Sequence, residues 1–458
     1  MPAAEIFVDR DPVGAGQEFV VAIRTSPVAP ASVIKERPGA SYALVLDASN
    51  SMSWPAEQSG NTTRWELALR AVGELLRKLP DQDEIQVVAF NDRAWSLHDA
   101  MTVAEMRGSG VLGQELPPGP GTNIEDGLRF AYDILGRSAA VARRAILLSD
   151  GEPNQGMLTA SELGAIAARA ADRDVYTDAV GMGAGADFEL LQAISAQGSI
   201  GHVTSADGAQ DEINKVIGRL TRQAQNLAAS GGELTVDVHP KFPVEAIYQV
   251  HPVSKRVTTQ PGTSPDGGQR VIIPLGAVGT GSEQPLFLLR LRAPGKTFSK
   301  KLRIATATGR LRTGGGVVTL DTAEAAIIGI AETPVINFER LMPQARAIDF
   351  EATTARIIKD ASPRARAGIY AEARDRARTE GLYDLARDYD AAVQGLERGL
   401  EPNDVHADQR ARSSISRTTH PNELLREVPR IDPQVVPTRK SGRGHQRGGT
   451  AGRETSDW

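Results

Sequence analysis

The sequence of 458 residues contains no cysteine. This absence excludes disulfide bonds and thiolate metal sites within the chain, and it fits a protein of a reducing compartment. An excess of one charge sign is also lacking, because 52 Lys and Arg residues nearly balance 57 Asp and Glu residues, for a net charge of −5. The composition therefore gives no overall electrostatic reason to expect binding to nucleic acid or to a membrane surface.

Long hydrophobic runs are missing as well. The first ten residues lack the basic start and the apolar core of a signal peptide. No later apolar run approaches the roughly 20 residues that a membrane span requires. We therefore expect a soluble, cytoplasmic protein without a membrane span. The phosphate-binding pattern G-x-x-x-x-G-K-[ST] is absent too, so any ATP hydrolysis linked to this protein must belong to another subunit.

One stretch near the N-terminal end carries the strongest chemical signal. An apolar run typical of a buried strand, Tyr42 to Leu46, ends in Asp47 and is followed by hydroxyls at Ser49 and Ser51. Carboxylate and hydroxyl oxygens are hard donors of the kind that Mg²⁺ prefers. This strand end is therefore a candidate cation site.

Two later stretches supply matching parts. A second apolar strand ends at Ser149 and Asp150, and the glycine-rich segment 119–121 leads through Thr122 and Asn123 into a predicted helix. In an open α/β sheet the loops at the carboxyl ends of the strands converge on one crevice. Residues far apart in the chain can therefore share one metal ion.

Together these residues resemble the complete metal-ion-dependent adhesion site of the von Willebrand factor type A family, in both type and order. The resemblance covers about residues 40 to 225. It implies that Ser49, Ser51 and Thr122 coordinate Mg²⁺ directly, whereas Asp47 and Asp150 hold its water molecules. Mn²⁺ and Ca²⁺ are the alternative metals.

The chemistry of these donors favours binding over catalysis. Neutral hydroxyls leave most of the charge of the cation unquenched, so an Asp or Glu of a partner protein can replace one of the metal-bound waters. We therefore expect a non-enzymatic module that captures an acidic residue of a partner. Trp54, close to the metal loop, offers contact area for such a ligand, although it can equally pack under its own loop. Asn123 is a second predicted ligand contact.

Several alternatives stand beside this hypothesis. Alone, the pattern D-x-S-x-S is typical of a strand end followed by a turn or a helix cap. A phosphatase or hydrolase with an aspartyl nucleophile normally needs a second acid two residues later, where this chain has Ser49. We also find no trio of His, acid and nucleophile that would indicate another hydrolase.

The resemblance implies two settings for a binding module. The favoured one is a scaffold in a bacterial multiprotein complex or stress-response system. The alternative is a subunit of an ATPase-driven chaperone or metal-insertion machine of the magnesium-chelatase type. In that machine the same metal site would grip the ATPase.

The length predicts two or three domains and a tail. Strand and helix patterns alternate after residue 40, which favours a doubly wound, mostly parallel sheet in an α/β domain. From residue 231 short strands follow one another, as in a β-sandwich. Because those strands are few, we predict that two N-terminal strands, 5–8 and 18–24, complete the sandwich and that the α/β domain is inserted between them. The predicted domains are 1–38, 40–228, 231–322, 334–400 and 402–458.

The last two of these segments differ in character. Residues 334–359, 363–378 and 382–400 have helical spacing, with Ile369 and Ala373 as a thin apolar stripe on an otherwise charged helix. Their basic residues are compatible with RNA binding, but interspersed acids favour a solvated helical region. Residues 402–458 lose apolar periodicity and become basic and glycine-rich, which predicts a disordered tail. Its Ser and Thr residues next to arginines, at 412–414 and 417–419, are weak candidates for phosphorylation.

Overall fold

The structure is a computed structural model of the chain. It describes residues 4–25, 39–56, 61–110, 113, 119–140, 142–183, 186–195, 198–203, 214, 218, 227–229, 231–251, 254–276, 278–279, 284–313 and 316–400, with 402, 405, 406, 409, 424 and 425. The sequence also predicts an extended connector at 27–38 and a helix at 211–227 that closes the α/β domain. The connector lies outside the described residues, and only a few residues of that helix and of the predicted disordered tail lie within them.

The chain begins with three strands, β1 (Ala4–Val8), β2 (Val13–Gly14) and β3 (Glu18–Thr25). A central sheet follows, with its strands in the order β10-β9-β8-β4-β5-β6 and with β7 also paired to β5. Its strands are β4 (Ala40–Asp47), β5 (Glu84–Phe90), β6 (Ala94–Ser96), β7 (Met101–Thr102), β8 (Ala142–Ser149), β9 (Val175–Met182) and β10 (Ile200–Val203). The pairs among β10, β9, β8, β4 and β5 are parallel, and β6 and β7 are antiparallel to β5.

Helices cover both faces of this sheet, because its central strands are apolar on both sides. Along β4, Tyr42 and Leu44 pack in one core with α1, whereas Ala43 and Val45 pack in a second core with α3 and α4. All eight residues of β4 are buried. The helices are α1 (Arg64–Lys78), α2 (Val103–Gly108), α3 (Ile124–Arg137), α4 (Ala160–Ala171) and α5 (Phe188–Ile194). The predicted doubly wound α/β fold is confirmed.

Two five-stranded sheets form the sandwich, in the orders β1-β3-β18-β13-β14 and β15-β16-β12-β19-β20. Their later strands are β12 (Gly231–Val238), β13 (Val244–His251), β14 (Lys255–Arg256), β15 (Gly262–Thr263), β16 (Gln269–Leu275), β18 (Leu286–Arg292), β19 (Leu302–Thr313) and β20 (Gly316–Ile327). There are also three short strands, β11 (Leu227–Ala229), β17 (Val278–Gly279) and β21 (Ile330–Ala331). Strand β11 pairs with β17, and β21 pairs with β2.

The N-terminal strands complete the sandwich, as the fold prediction requires. Strand β3 pairs with β18 antiparallel over seven residue pairs, from Leu286 opposite Arg24 to Arg292 opposite Glu18. Phe19 and Phe242 meet in its core with ring centroids 5.8 Å apart in an edge-to-face arrangement. The α/β domain therefore lies, in sequence, between strands of one sheet.

The second half of the sandwich differs from the sequence prediction. The sequence pattern predicts the last of the short strands at 297–305, but β19 begins at Leu302 and continues to Thr313. The strand β20, which pairs with it, was not predicted at all and extends past residue 322 to Ile327. Along β20 half of the residues are exposed, and its three buried residues, Leu320, Ala325 and Ile327, give too weak an alternation for recognition from sequence.

Three helices follow the sandwich: α6 (Leu341–Asp360), α7 (Pro363–Thr379) and α8 (Tyr383–Glu397). Helix α6 packs against the first sheet, where the hydroxyl of Tyr248 donates a 2.7 Å hydrogen bond to Asp349. The first helix was predicted from Pro334, but residues 334–340 precede it. The predicted apolar stripe on α7 is shifted, since Tyr370, Ala373 and Ala377 are its buried residues and Ile369 is only partly buried. Among the described residues no helix is both long enough and apolar enough to span a membrane.

Candidate metal centre

The first loop of the candidate site begins where β4 ends. Asp47 is the last residue of the strand, and its Oδ1 accepts a 2.9 Å hydrogen bond from the backbone N–H of Ser49. A short 3-10 turn, Asn50–Ser53, follows and brings Ser51 back beside Ser49. The two hydroxyl oxygens lie 3.0 Å apart. Two of the predicted metal-binding hydroxyls are therefore neighbours in space.

The neighbouring strand β8 adds the second carboxylate. Because β4 and β8 are parallel and in register up to Leu46 and Leu148, their ends lie side by side. The Ser149 hydroxyl donates a 2.5 Å hydrogen bond to Asp47 Oδ2 and accepts one of 2.9 Å from the N–H of Gly151. Both Asp47 and Asp150 are fully buried.

The glycine-rich loop closes the third side. Its Gly119 forms a bridge with Ser49, in which the N–H of Asn50 donates to the Gly119 carbonyl at 2.9 Å. Thr122 is buried, and its N–H donates to the side-chain oxygen of Asn154 at 2.8 Å. A Cβ at Gly121 would lie 1.7 Å from the Asp92 carboxylate, so a larger residue there would displace that side chain. All three predicted loops thus meet at one edge of the sheet.

Burial and the proximity of two acids determine the electrostatics of this edge. The pKa of Asp47 is raised to about 7, first by burial and then by the negative charge of Asp150. Hydrogen bonds from Ser149 and Ser49 oppose the shift. Two carboxylates buried close together repel each other unless a proton or a cation compensates them.

The donor set fits a hard divalent ion. Octahedral Mg²⁺ with ligands at about 2.1 Å places neighbouring ligand oxygens about 3.0 Å apart. The separation of the Ser49 and Ser51 hydroxyls, 3.0 Å, equals that spacing. Among the described residues no group of three or more His, Asp or Glu side chains offers a metal site, so hydroxyl donors are essential to this one.

The two predicted ligand contacts have different surroundings. Trp54 is 55% exposed, and the guanidinium carbon of Arg64 lies 5.8 Å from the centroid of its ring. Asn123 caps α3, with its side-chain oxygen accepting from the N–H of Asp126 at 3.1 Å and its amide donating to the Asp92 carbonyl at 3.3 Å. The indole has surface to offer a ligand, whereas the Asn123 side chain is already engaged. Both ligand contacts stay predictions.

Sequence reasoning missed three residues of this edge. Arg64, the first residue of α1, donates a 2.6 Å hydrogen bond to Asp150 Oδ2. Ser149 links the two acids, and Asn154 holds Thr122. The position of Ser149 beside Asp150 was a usable signal. Arg64 gave none, because 86 residues separate it from its partner.

Comparison with known proteins agrees with this architecture. The family model for the von Willebrand factor type A domain matches residues 42–152. A comparison with curated protein sequences found no match.

Two solved structures share the fold over most of the chain. The first, described as von Willebrand factor type A from Catenulispora acidiphila, has a TM-score of 0.69 at 15% identity and covers 90% of this chain and 97% of its own. The second, the ArnB paralog VWA2 from Sulfolobus acidocaldarius, has a TM-score of 0.51 at 13% identity and covers 92% of this chain and 99% of its own. At these identities the likeness concerns the fold alone. The family match and the shared folds together support a von Willebrand factor type A domain in this chain.

Proposed function

We propose that this protein is a non-enzymatic binding module in which a divalent cation, Mg²⁺ in the first place, captures an acidic residue of a partner protein. The residues that would hold the cation are Asp47, Ser49, Ser51, Thr122 and Asp150. The bound ion would supply a Lewis-acidic position for the partner's carboxylate. A scaffold role in a bacterial multiprotein complex or stress-response system is part of this proposal.

The observation that carries the proposal is the pair of hydroxyls of Ser49 and Ser51, which lie 3.0 Å apart beside two fully buried carboxylates. Oxygen donors spaced like the edge of a magnesium octahedron, next to two buried carboxylates of which Arg64 pairs with Asp150 alone, are the chemistry that a hard cation needs. Type A domains commonly serve as protein-interaction modules, which agrees with this role. No feature of the described residues favours the magnesium-chelatase-like alternative.

The chain's own residues would prepare the site for a ligand. Ser149 and the N–H of Ser49 hold the two oxygens of Asp47, and Asn154 holds Thr122 at the rim. These contacts fix the first and third loops before any ligand arrives, so little conformational entropy is lost on binding. Trp54 provides an exposed ring beside the first loop.

Titration calorimetry with MgCl₂ tests the metal site. We expect binding heat with the wild type and its loss with Ser51→Ala or Asp47→Ala. The matched control is Ser53→Ala in the same turn, because this exposed hydroxyl donates to the Asn50 carbonyl at 2.7 Å and belongs to no predicted ligand set. Unchanged heats in Ser51→Ala and Asp47→Ala would contradict the proposed site.

The partner is tested separately. Affinity purification in MgCl₂ should retain proteins that are lost in EDTA and lost with Ser51→Ala. Retention of the same proteins in all three conditions would assign the interaction to another surface of the chain.

A further inference from the structure

Arg64 is a cation inside the candidate metal centre. It is the first residue of α1, directly after Thr63, whose side chain and backbone form a capping box with Glu66. The cap fixes the start of the helix, and from there the guanidinium extends to Asp150 with an Nη1–Oδ2 distance of 2.6 Å. The Arg64 side chain is 12% exposed and the Asp150 side chain is fully buried. This ion pair is therefore largely shielded from solvent.

Two further contacts hold the guanidinium in place. It lies over the indole of Trp54, 5.8 Å from the ring centroid, where a cation is attracted by the negative face of the ring. On another side it packs against Gly183, where a Cβ would lie 2.9 Å from the arginine Nε. Gly183 has a φ of +82°, in the region that favours glycine. The space beside α1 is thus shaped to admit this side chain.

The charges of the site explain what the arginine does there. Among the described residues, Arg64 forms the ion pair with Asp150, whereas Asp47 accepts hydrogen bonds from Ser49 and Ser149 only. Its Nε is buried without a hydrogen-bond partner among those residues. Burial of a guanidinium with an unsatisfied Nε costs free energy, and this cost is offset mainly by the carboxylate that the arginine neutralises.

We propose that Arg64 is the internal counter-ion of the metal centre, and that it sets the affinity of the centre for divalent cations. Without a bound cation it neutralises Asp150 and keeps the second loop in position. With a cation bound, the same positive charge repels the ion and weakens its binding. Arg64 is thus a positioning residue, and the metal part of this inference rests on the proposed function.

The test compares Arg64→Met with the wild type in EDTA and in saturating MgCl₂. Methionine keeps a long apolar side chain against Trp54 and Gly183 but removes the charge. We expect Arg64→Met to lower Tm by several degrees in EDTA, because Asp150 is then buried without a partner, and by clearly less in MgCl₂, because the ion replaces the lost charge. Calorimetry should show Mg²⁺ binding about tenfold tighter in the variant, the effect of about 1.4 kcal/mol of removed repulsion. Equal losses of Tm in both buffers, or an unchanged or weaker Mg²⁺ affinity, would overturn the proposal.

Four further variants separate charge from packing. Arg64→Lys keeps the positive charge and should retain the low Mg²⁺ affinity and much of the wild-type Tm in EDTA. Arg129→Met is the matched control, since Arg129 forms an exposed pair with Glu125 on α3 and should change neither quantity. Asp150→Asn removes the negative charge, so in EDTA the double variant Arg64→Met/Asp150→Asn should be more stable than the sum of the two single losses predicts.

The double variant also distinguishes the two proposals. If the wild type binds no Mg²⁺, the proposed function fails, and the counter-ion role is then judged in EDTA alone. Recovery of Tm in the double variant would support that role. Additive losses would overturn it.

Discussion

The hydroxyl of Ser149 donates a 2.5 Å hydrogen bond to Oδ2 of Asp47, across 102 residues of sequence. The bond joins the ends of the two central parallel strands, β4 and β8, at the point where the candidate metal centre lies. Ser149 belongs to no predicted set of metal ligands. Its effect on the centre therefore runs through the position and charge of Asp47.

Replacement of Ser149 by alanine should weaken Mg²⁺ binding by about ten- to a hundredfold, the usual effect of losing a group that orients a metal-binding residue. Without this hydroxyl, Asp47 Oδ2 loses the donor that favours its charged form. Calorimetry with MgCl₂ measures the change, and Ser53→Ala serves as the control. An affinity within twofold of the wild type would refute the orienting role of Ser149.

The buried ion pair at the other end of the sheet should dominate the stability of the α/β domain. Arg144 bonds Asp178 through Nε at 2.7 Å and Nη2 at 2.5 Å, and Asp178 also accepts from the N–H of Ser199 at 2.8 Å. Asp178→Ala leaves a buried guanidinium without its partner, so we expect a loss of about 3–5 kcal/mol in the free energy of unfolding. Urea denaturation measures this loss.

An exposed pair supplies the control for this experiment. Asp384 pairs with Arg387 on the surface of α8, where solvent screens the interaction. Asp384→Ala should therefore change stability by less than about 0.5 kcal/mol. If both substitutions lowered the free energy of unfolding by a similar amount, burial would not increase the contribution of the Arg144–Asp178 pair.

The N-terminal segment should make stability depend on pH through Asp9. Burial raises the pKa of this carboxyl from 3.8 to about 6, against the opposing effects of Arg10 and of the Val20 N–H. The folded state thus binds the proton more tightly than the unfolded chain, so this contribution to stability is fully present below pH 4 and is lost as the pH rises through 6. Its size is about 2–3 kcal/mol.

Asp9→Asn should remove this dependence, because the amide stays neutral at every pH and its oxygen still accepts from Val20. Thermal unfolding followed between pH 4 and pH 7 gives the measurement. Asp321→Asn, at an exposed position of β20, is the control. A wild-type stability that does not fall over this range would contradict the assignment to Asp9.

The sandwich should depend on its N-terminal strands. Phe19 of β3 is fully buried and packs edge-to-face on Phe242. Phe19→Ala should cost about 3–5 kcal/mol. Phe298→Ala, at a ring 39% exposed, should lower the free energy of unfolding clearly less.

Removal of residues 4–25 should leave residues 231–310 open to proteolysis, and full protection of that segment would refute the insertion.

The sequence predicted those elements in which local pattern and tertiary environment agree. Strand β4 is recognisable because burial on both faces demands a continuous apolar run. The helical spacing of apolar residues at 188–194 likewise predicts α5 with its observed bounds. Strand β20 was missed because its exposed side chains carry little apolar alternation. Its pairing with β19 buries only a few apolar side chains, such as Leu320 beside Leu311, and these are too few to form a recognisable pattern.

The candidate site divides in the same way. Asp47, Ser49, Ser51, Thr122 and Asp150 lie in three short motifs at strand and loop ends, and the topology of a parallel sheet predicts that these ends converge. Arg64 lies one residue after a helix cap, and its ion pair with Asp150 arises only when α1 packs against the sheet. The residues around Arg64 form a helix start and no recognisable ligand motif, so nothing in them indicates a contact with Asp150.

The chain enters and leaves the α/β domain at the same end of the central sheet. Strand β4 begins at Ala40, two strands away from the start of β9 in the sheet. At the start of β9, Arg312 of β19 bonds Asp174 at 2.6 Å, and Gly231 packs closely on Tyr176. The candidate metal centre lies at the opposite end. The start of β4 and the residues that join this domain to the sandwich are therefore separated from the candidate metal centre by the length of the central sheet.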